Sequence, residues 1–84
     1  MAAPTVDALF GFRVGERVRI LYQKPNHEPA PYAGLIVELH GKGIGKRGRV
    51  LENRLTLVTE KGKRSFVESG IHAIAAPDRV VYFV

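Results

Sequence analysis

The 84 residues of the chain are enough for one domain and too few for two hydrophobic cores. A hydrophobic fraction of 45% and a charged fraction of 25% are typical of a folded protein, and the lack of cysteine excludes disulfides, thiolate zinc sites and thiol nucleophiles. No apolar run approaches the roughly 18 residues of a membrane span, and the first ten residues lack the basic start of a secretory signal. We therefore expect a cytoplasmic protein with no membrane contact and one domain over residues 1–84, of which 1–12 form an N-terminal extension.

The first half of the chain predicts two strands on either side of a proline-rich loop. Residues 5–10 are expected to form one helical turn that ends at Gly11. Residues 17–22 alternate polar and apolar side chains, which is the period of a strand with one buried face. Residues 23–32 contain three prolines, which remove backbone donors and favour a stiff loop, and residues 33–40 are again strand-like. The side chains expected on the buried face of this second strand are Leu35, Val37 and Leu39.

The second half predicts a glycine-rich loop followed by hairpins. Residues 41–48 contain four glycines, and most of the other members are cationic. Gly62 supplies the positive φ that a hairpin turn over residues 60–63 needs. The strands predicted in this half cover residues 49–51, 54–59, 64–68, 71–75 and 80–84. Short strands separated by turns at this spacing favour an all-β fold, a small barrel of about five to six antiparallel strands.

The positive charge is concentrated in the middle of the chain. Residues 42–64 hold eight cations and two acids, or +6, whereas the rest of the chain holds five cations and six acids, or −1. Clustered basic side chains are expected of a protein that binds a polyanion, because each phosphate that is neutralised releases condensed counterions. The cations predicted to contact nucleic acid are Lys42, Lys46, Arg47, Arg49, Arg54, Lys61, Lys63 and Arg64.

Other chemistry is sparse in the sequence. The glycines of residues 43–48 match G-x-G-x-x-G, but a β-run follows them where a dinucleotide site needs a helix, and the Walker A spacing is absent. The three histidines have no metal-ligand spacing, and no acid, base and nucleophile occur together in a recognisable motif. We therefore predict no catalytic residues, no cofactor and no metal. Tyr22 and Tyr32 flank the proline-rich loop and are predicted to form a surface platform on which bases stack.

Two segments resemble the opening of SH3-like barrels. Residues 14–20 read Val-Gly-Glu-Arg-Val-Arg-Ile, and residues 32–39 read Tyr-Ala-Gly-Leu-Ile-Val-Glu-Leu. In SH3-like barrels a strand with this hydrophobic, glycine and acid pattern precedes a glycine that starts an alternating second strand. KOW-type domains of ribosomal and transcription proteins look similar. The resemblance implies an SH3-like barrel whose loops contact RNA or ribonucleoprotein.

Two other families share the likeness to a small barrel. Residues 49–77 distantly resemble the end of an Sm/Hfq barrel, although the middle strands lack the Asp and Asn pattern of that family. Residues 14–39 are similar to the variable subunit of ferredoxin-thioredoxin reductase and to small barrel subunits of photosynthetic electron-transfer complexes. That likeness implies a cofactor-free subunit docked on a catalytic partner protein or on acidic ferredoxin. The loop residues that carry it are Tyr22, Pro25, Asn26, His27 and Pro29.

The location of the charge favours nucleic acid over the partner-subunit alternative. The cations lie in the glycine-rich loop and the following hairpin, outside the region that resembles the reductase subunit. We therefore expect a non-enzymatic nucleic-acid-binding domain that prefers RNA to DNA, as part of a ribosome or another ribonucleoprotein. The glycine-rich loop and the adjacent hairpin are expected to form one cationic surface.

Overall fold

The structure is a computed structural model that describes residues 4–83 of the chain. This part contains ten β-strands and two 3-10 turns. The strands are β1 (Ala8–Leu9), β2 (Phe12–Arg13), β3 (Arg17–Tyr22), β4 (Ala30–His40), β5 (Gly43–Ile44), β6 (Val50–Leu51), β7 (Arg54–Thr59), β8 (Gly62–Val67), β9 (Ile71–Ala76) and β10 (Arg79–Tyr82). The 3-10 turns cover Lys46–Gly48 and Glu68–Gly70. Strands make up most of this region, so the prediction of an all-β fold is confirmed. Val84, predicted in the last strand, lies outside the described residues.

Six strands form one antiparallel sheet in the order β10-β9-β3-β4-β7-β8. The other four strands pair as two small antiparallel hairpins, β1–β2 and β5–β6. The edges of the sheet are β8 and β10, and no ladder joins these two strands within residues 4–83.

The sheet curves strongly around one apolar core. Strands β3 and β8 are three strand spacings apart, which would be roughly 14 Å in a flat sheet. The rings of Tyr22 on β3 and Phe66 on β8 nevertheless lie 4.9 Å apart, and the Val67 N–H donates to the Tyr22 hydroxyl at 3.5 Å. The buried apolar side chains inside the curve are Phe12, Val18, Ile20, Ile36, Leu39, Leu55, Leu57, Phe66, Ile71 and Ile74.

Strand β3 has the burial pattern that its sequence predicts, whereas β4 departs from it. Val18 and Ile20 on β3 are buried, and the residues on either side of each are more exposed. On β4 the buried apolar residues are Ile36 and Leu39, because a bulge opposite β7 shifts the register between Ile36 and Glu38. The bulge breaks the period of two. The predicted shared face of Leu35, Val37 and Leu39 is therefore wrong.

The proline-rich loop is shorter than predicted, since β4 already begins at Ala30. Pro31 pairs with β3 on one side, and β7 joins β4 only from Leu35 onward, so the missing proline N–H disrupts no ladder. The remaining loop is ordered by a turn in which His27 N–H donates to the Lys24 carbonyl at 3.1 Å. Pro25 and Asn26, with φ of 63° at Asn26, occupy its central positions, as in a type II turn.

The predicted helical turn near the N-terminus is instead a tight β-hairpin. Leu9 pairs with Phe12, and the two residues between them, Phe10 and Gly11, both have positive φ, at 57° and 86°. Two-residue hairpin loops of type I′ require this conformation, and Gly11 adopts it without steric cost. Phe10 adopts it while packing edge-to-face against Phe83 at 4.9 Å between ring centroids. The local helix signal is thus overridden by tertiary packing.

The ion pair between Arg79 and Glu16 joins β10 to the segment that precedes β3. The Nη2 atom of Arg79 on β10 donates to both Glu16 carboxylate oxygens, at 2.5 and 2.6 Å, and the Arg13 N–H donates to the same carboxylate at 2.7 Å. The hydrogen bond from Arg79 is the main cause that holds the pKa of Glu16 below its ordinary value of 4.5, and the hydrogen bond from the Arg13 N–H is the second. The guanidinium also lies 4.6 Å from the centroid of the Phe12 ring. Arg79 therefore ties β10 to the segment that precedes β3.

Candidate nucleic-acid interface

The structure divides the predicted basic residues between the two ends of strand β7. The β5–β6 hairpin precedes Arg54 at the start of this strand, whereas the β7–β8 turn follows Thr59 at its end. Five residue steps of strand separate the two ends by roughly 16 Å. The single cationic surface expected from the sequence is therefore two surfaces. The first lies on and next to the β5–β6 hairpin, and we call it the hairpin surface; its cations are Lys42, Lys46, Arg47 and Arg49. The second lies on the β7–β8 hairpin, and its cations are Lys61, Lys63 and Arg64.

The predicted glycine-rich loop is an ordered hairpin with a tight turn at its tip. Gly43 pairs with Leu51, and Ile44 pairs with Val50. At the tip Arg47 has φ of 61° and ψ of 28°, and Gly48 has φ of 74°. The Arg49 N–H donates to the Lys46 carbonyl at 3.3 Å, which closes a type I′ turn with Arg47 and Gly48 at its centre.

Arg47 is an unusual residue for this turn. The first central position of a type I′ turn normally holds Asn, Asp or Gly, because other side chains are strained at positive φ. Arg47 instead places an exposed guanidinium at the tip of a projecting hairpin, between the exposed Lys46 and Arg49. A strained conformation of this kind is a reason to look for a function of that side chain.

The basic side chains of both surfaces are free of carboxylate partners. Within residues 4–83, the ion pairs are those that Arg79 forms with Glu16 and Asp78. The seven cations of the two surfaces are exposed and have no acidic group of the described region within ion-pair distance. Their charge is therefore available to an anionic ligand, without the cost of breaking an internal pair.

An exposed tyrosine, Tyr82, lies beside the hairpin surface. Its exposure is 78%, and it lines a cavity of about 610 Å³ together with Lys42 and Val50. Glu52 and Glu68 also line this cavity, and both carboxylates accept hydrogen bonds from uncharged groups: Glu52 from the backbone N–H and hydroxyl of Ser69, and Glu68 from the side-chain amide of Asn53. In the sequence, Tyr82 is one of four aromatic candidates for base stacking, with Tyr22, Tyr32 and Phe66, but only Tyr22 and Tyr32 are predicted as site residues.

Two apolar side chains extend the exposed surface next to Tyr82. Ile44 and Val50 are cross-strand partners on the hairpin, with exposures of 55% and 71%. A projecting hairpin therefore combines cations with an apolar patch and has an aromatic ring at its base. Cations suit phosphates, and flat or apolar side chains suit bases.

The predicted platform of Tyr22 and Tyr32 is not a free surface. Both rings are half-buried against Phe66, with ring centroids 4.9 and 5.2 Å from the phenylalanine. Tyr22 also covers Gly70, where a Cβ would lie 2.6 Å from the tyrosine ring. The curved sheet brings one side of both rings onto its core, and base stacking by either ring stays a prediction.

Arg54 is separate from both basic surfaces. It pairs across strands with His40 and Val67 and is half-buried. Its Nε and the Nδ1 of His40 are buried without a hydrogen-bond partner in the described region. Arg54 therefore belongs to neither of the two basic surfaces.

A groove lies at the other end of β7. Its cavity of about 610 Å³ is bounded by the first half of β4 and by the β7–β8 turn. Tyr32 and Gly34 contribute to its β4 side. The charged residues that line it are Arg17, Lys24, Lys61 and Arg64, with Glu60 as the one acid among the described residues. Arg17 and Lys24 come from outside the basic stretch of the sequence and were not predicted.

No protein-family model, curated protein or solved structure matches this chain. In the described region, residues 4–83, no helix is long and apolar enough to cross a membrane. Histidine and carboxylate side chains in the same region form no cluster of three that would hold a metal ion.

Proposed function

We propose that the protein is a non-enzymatic domain that binds single-stranded nucleic acid, RNA in preference to DNA, through the hairpin surface. Lys42, Lys46, Arg47 and Arg49 contact phosphates, and the ring of Tyr82 stacks on a base. The observation that carries this proposal is the strained Arg47 at the tip of a hairpin whose cations have no partners within residues 4–83. The preference for RNA rests on the resemblance of residues 14–20 and 32–39 to KOW-type domains.

The salt dependence of binding tests the phosphate contacts. Four contacts to a single strand predict that log K falls with log[salt] with a slope of about −2.8. Lys46→Ala with Arg47→Ala removes two of the contacts and should reduce the slope to about −1.4. The measurement is fluorescence anisotropy of a labelled oligouridylate of about 12 nucleotides, with the matching oligothymidylate as the DNA comparison.

A matched control separates a specific surface from general charge. Lys61→Ala with Lys63→Ala removes the same charge from the opposite end of β7. We expect this variant to keep most of the wild-type slope. Equal slopes for the two double variants would contradict the assignment to the hairpin surface, and so would a failure of the wild-type protein to bind either oligonucleotide at low salt.

Tyr82 is tested by removing and then restoring its ring. Base stacking on an aromatic side chain contributes about 1–3 kcal/mol, so Tyr82→Ala should weaken oligouridylate binding by about fivefold or more. Tyr82→Phe keeps the ring and should bind nearly as well as the wild type. Equal affinities of the alanine and phenylalanine variants would exclude stacking by Tyr82.

We also propose that the curved sheet is an SH3-like barrel. The packing of Tyr22 on β3 against Phe66 on β8 supports a sheet that curls back toward itself. The antiparallel order β9-β3-β4-β7-β8 provides five consecutive strands for such a barrel. Nuclear Overhauser contacts between the backbone protons of β8 and those of another non-neighbouring strand would test closure, and their absence would leave an open curved sheet.

A further inference from the structure

The first half of β4 has one free edge within the described region. Strand β7 pairs with β4 only from Leu35 onward, whereas β3 pairs with β4 along residues 30–35. The Ile36 N–H donates to the Glu16 carbonyl, and the Gly15 N–H donates to the Ile36 carbonyl, so Ile36 directs its backbone groups away from β7. Because backbone directions alternate along a strand, Gly34 and Tyr32 do the same, and the groups of Ala33 and Pro31 face the opposite side.

The free edge of β4 faces the groove at the end of β7. Pro31, Ala33 and Gly34 line this groove, and the β7–β8 turn forms its opposite wall. Ala33 therefore presents an N–H donor and a carbonyl acceptor to the groove, and Pro31 presents a carbonyl. The side chains of Pro31, Ala33 and Gly34 are small, so another extended backbone has room to approach these residues to strand spacing.

The charge of the groove selects the chemistry of its ligand. Four cations and one acid line it, and none of them forms an internal ion pair within residues 4–83. A second copy of the chain would bring the same net charge of +5. A nucleic-acid backbone would satisfy the cations, but its phosphate oxygens would face the carbonyls of Pro31 and Ala33. An acidic peptide in extended conformation matches both the charges and the alternation of donors and acceptors.

We propose that the groove binds an extended acidic segment of a partner protein, which pairs with residues 31–33 as an added strand. The site is distinct from the hairpin surface and does not depend on nucleic-acid binding there. The added segment continues the sheet along β4 where β7 leaves it. Its carboxylates lie near Arg17, Lys24, Lys61 and Arg64.

A synthetic probe tests both parts of this proposal. The probe is a fluorescein-labelled hexapeptide of alternating glutamate and valine, compared with the corresponding peptide of lysine and valine. We expect the acidic peptide to bind the full chain at low ionic strength and the basic peptide not to bind. N-methylation of alternate backbone amides, on the edge that faces β4, should weaken binding by about fivefold, because it removes the ladder hydrogen bonds. Equal binding of the methylated and unmethylated acidic peptides would overturn strand addition.

Two variants locate the peptide on the protein. Ala33→Pro removes the N–H that faces the groove but leaves the ladder to β3 intact, and it should weaken binding by about fivefold. Lys61→Gln with Arg64→Gln tests the charges without changing the backbone and should weaken binding to a similar extent. Lys46→Gln with Arg47→Gln removes the same charge at the hairpin surface and should leave peptide binding almost unchanged. Equal losses for the two charge variants would overturn the assignment to the groove.

Amide hydrogen exchange provides a readout that general charge attraction would not change. The Ala33 amide should exchange about tenfold more slowly when the acidic peptide is bound, because it becomes part of a ladder. Protection of Ala33 by oligouridylate but not by the acidic peptide would show that the groove takes nucleic acid and would overturn the proposal. Lack of protection by a bound acidic peptide would overturn it as well.

Discussion

Replacing Arg47 with asparagine should have opposite effects on stability and on binding. Arg47 has φ of 61°, a region that costs most side chains about 1–2 kcal/mol but that asparagine tolerates better. The new asparagine would precede Gly48, and Asn-Gly is a preferred pair in type I′ turns. We therefore expect Arg47→Asn to raise the free energy of unfolding by about 0.5–1 kcal/mol. For a domain of this length the unfolding midpoint should rise by about 2–8 °C.

The same change should weaken the binding of nucleic acid. Arg47→Asn removes one of the four cations of the hairpin surface, so the salt slope for oligouridylate should change from about −2.8 to about −2.1. Stability is measured by urea unfolding, and binding by anisotropy titration over a range of salt concentrations. A variant more stable than the wild type and weaker in binding would show that the strain at Arg47 is retained for the sake of contact with the ligand.

Lys46→Asn is the matched control for the backbone effect. It makes the same change of charge on the neighbouring residue, which does not have positive φ. We expect a similar loss of salt slope and no gain in stability. Equal unfolding free energies for the two variants would refute the strain argument, and an unchanged slope for Arg47→Asn would refute the phosphate contact.

Two further substitutions test the framework that holds these surfaces. Glu16→Gln should lower stability at neutral pH, because it removes the carboxylate that pairs with Arg79. The pKa of Glu16 is depressed in the folded state, so its stabilising contribution is present above 4.5 and is lost as the pH falls through the folded-state value. The difference from the wild type in urea unfolding should therefore close in acid, and a constant difference would contradict it. Gly34→Ala should cost about 2 kcal/mol, because its Cβ would overlap the Val58 carbonyl oxygen, whereas the new Cβ in Gly41→Ala would meet nothing closer than 3.4 Å in the described region. Equal stability of the two alanine variants would refute this packing argument.

Features set by local chemistry were predictable from the sequence. The alternation of β3 depends only on side chains two residues apart, and it predicts that Val18 and Ile20 are buried. The β7–β8 turn depends on Gly62, whose φ of 101° is strongly disfavoured for other residues. In both cases the determining residues lie within the element itself.

Features set by contacts distant in sequence were not predictable. The bulge in β4 follows from its pairing with β7, and nothing within residues 33–40 indicates where the extra residue falls. Phe10 adopts positive φ next to a ring near the other end of the chain, that of Phe83. The free edge at Ala33 arises because β7 turns away after Thr59, which only the assembled sheet determines.

Because the basic stretch is divided between two ends of the sheet, the binding of oligouridylate and of the acidic peptide can be tested with separate variants. Strand β7 lies within residues 42–64, so it carries the cations before it and those after it to opposite ends of the sheet. Arg17 and Lys24 then join the second set through the fold alone. If each end takes its own ligand, the Lys46 and Arg47 variant should bind oligouridylate more weakly but bind the acidic peptide as before, and the Lys61 and Arg64 variant should do the reverse. A net charge lowered by the same amount in both variants cannot produce that crossed pattern, so only local recognition would account for it.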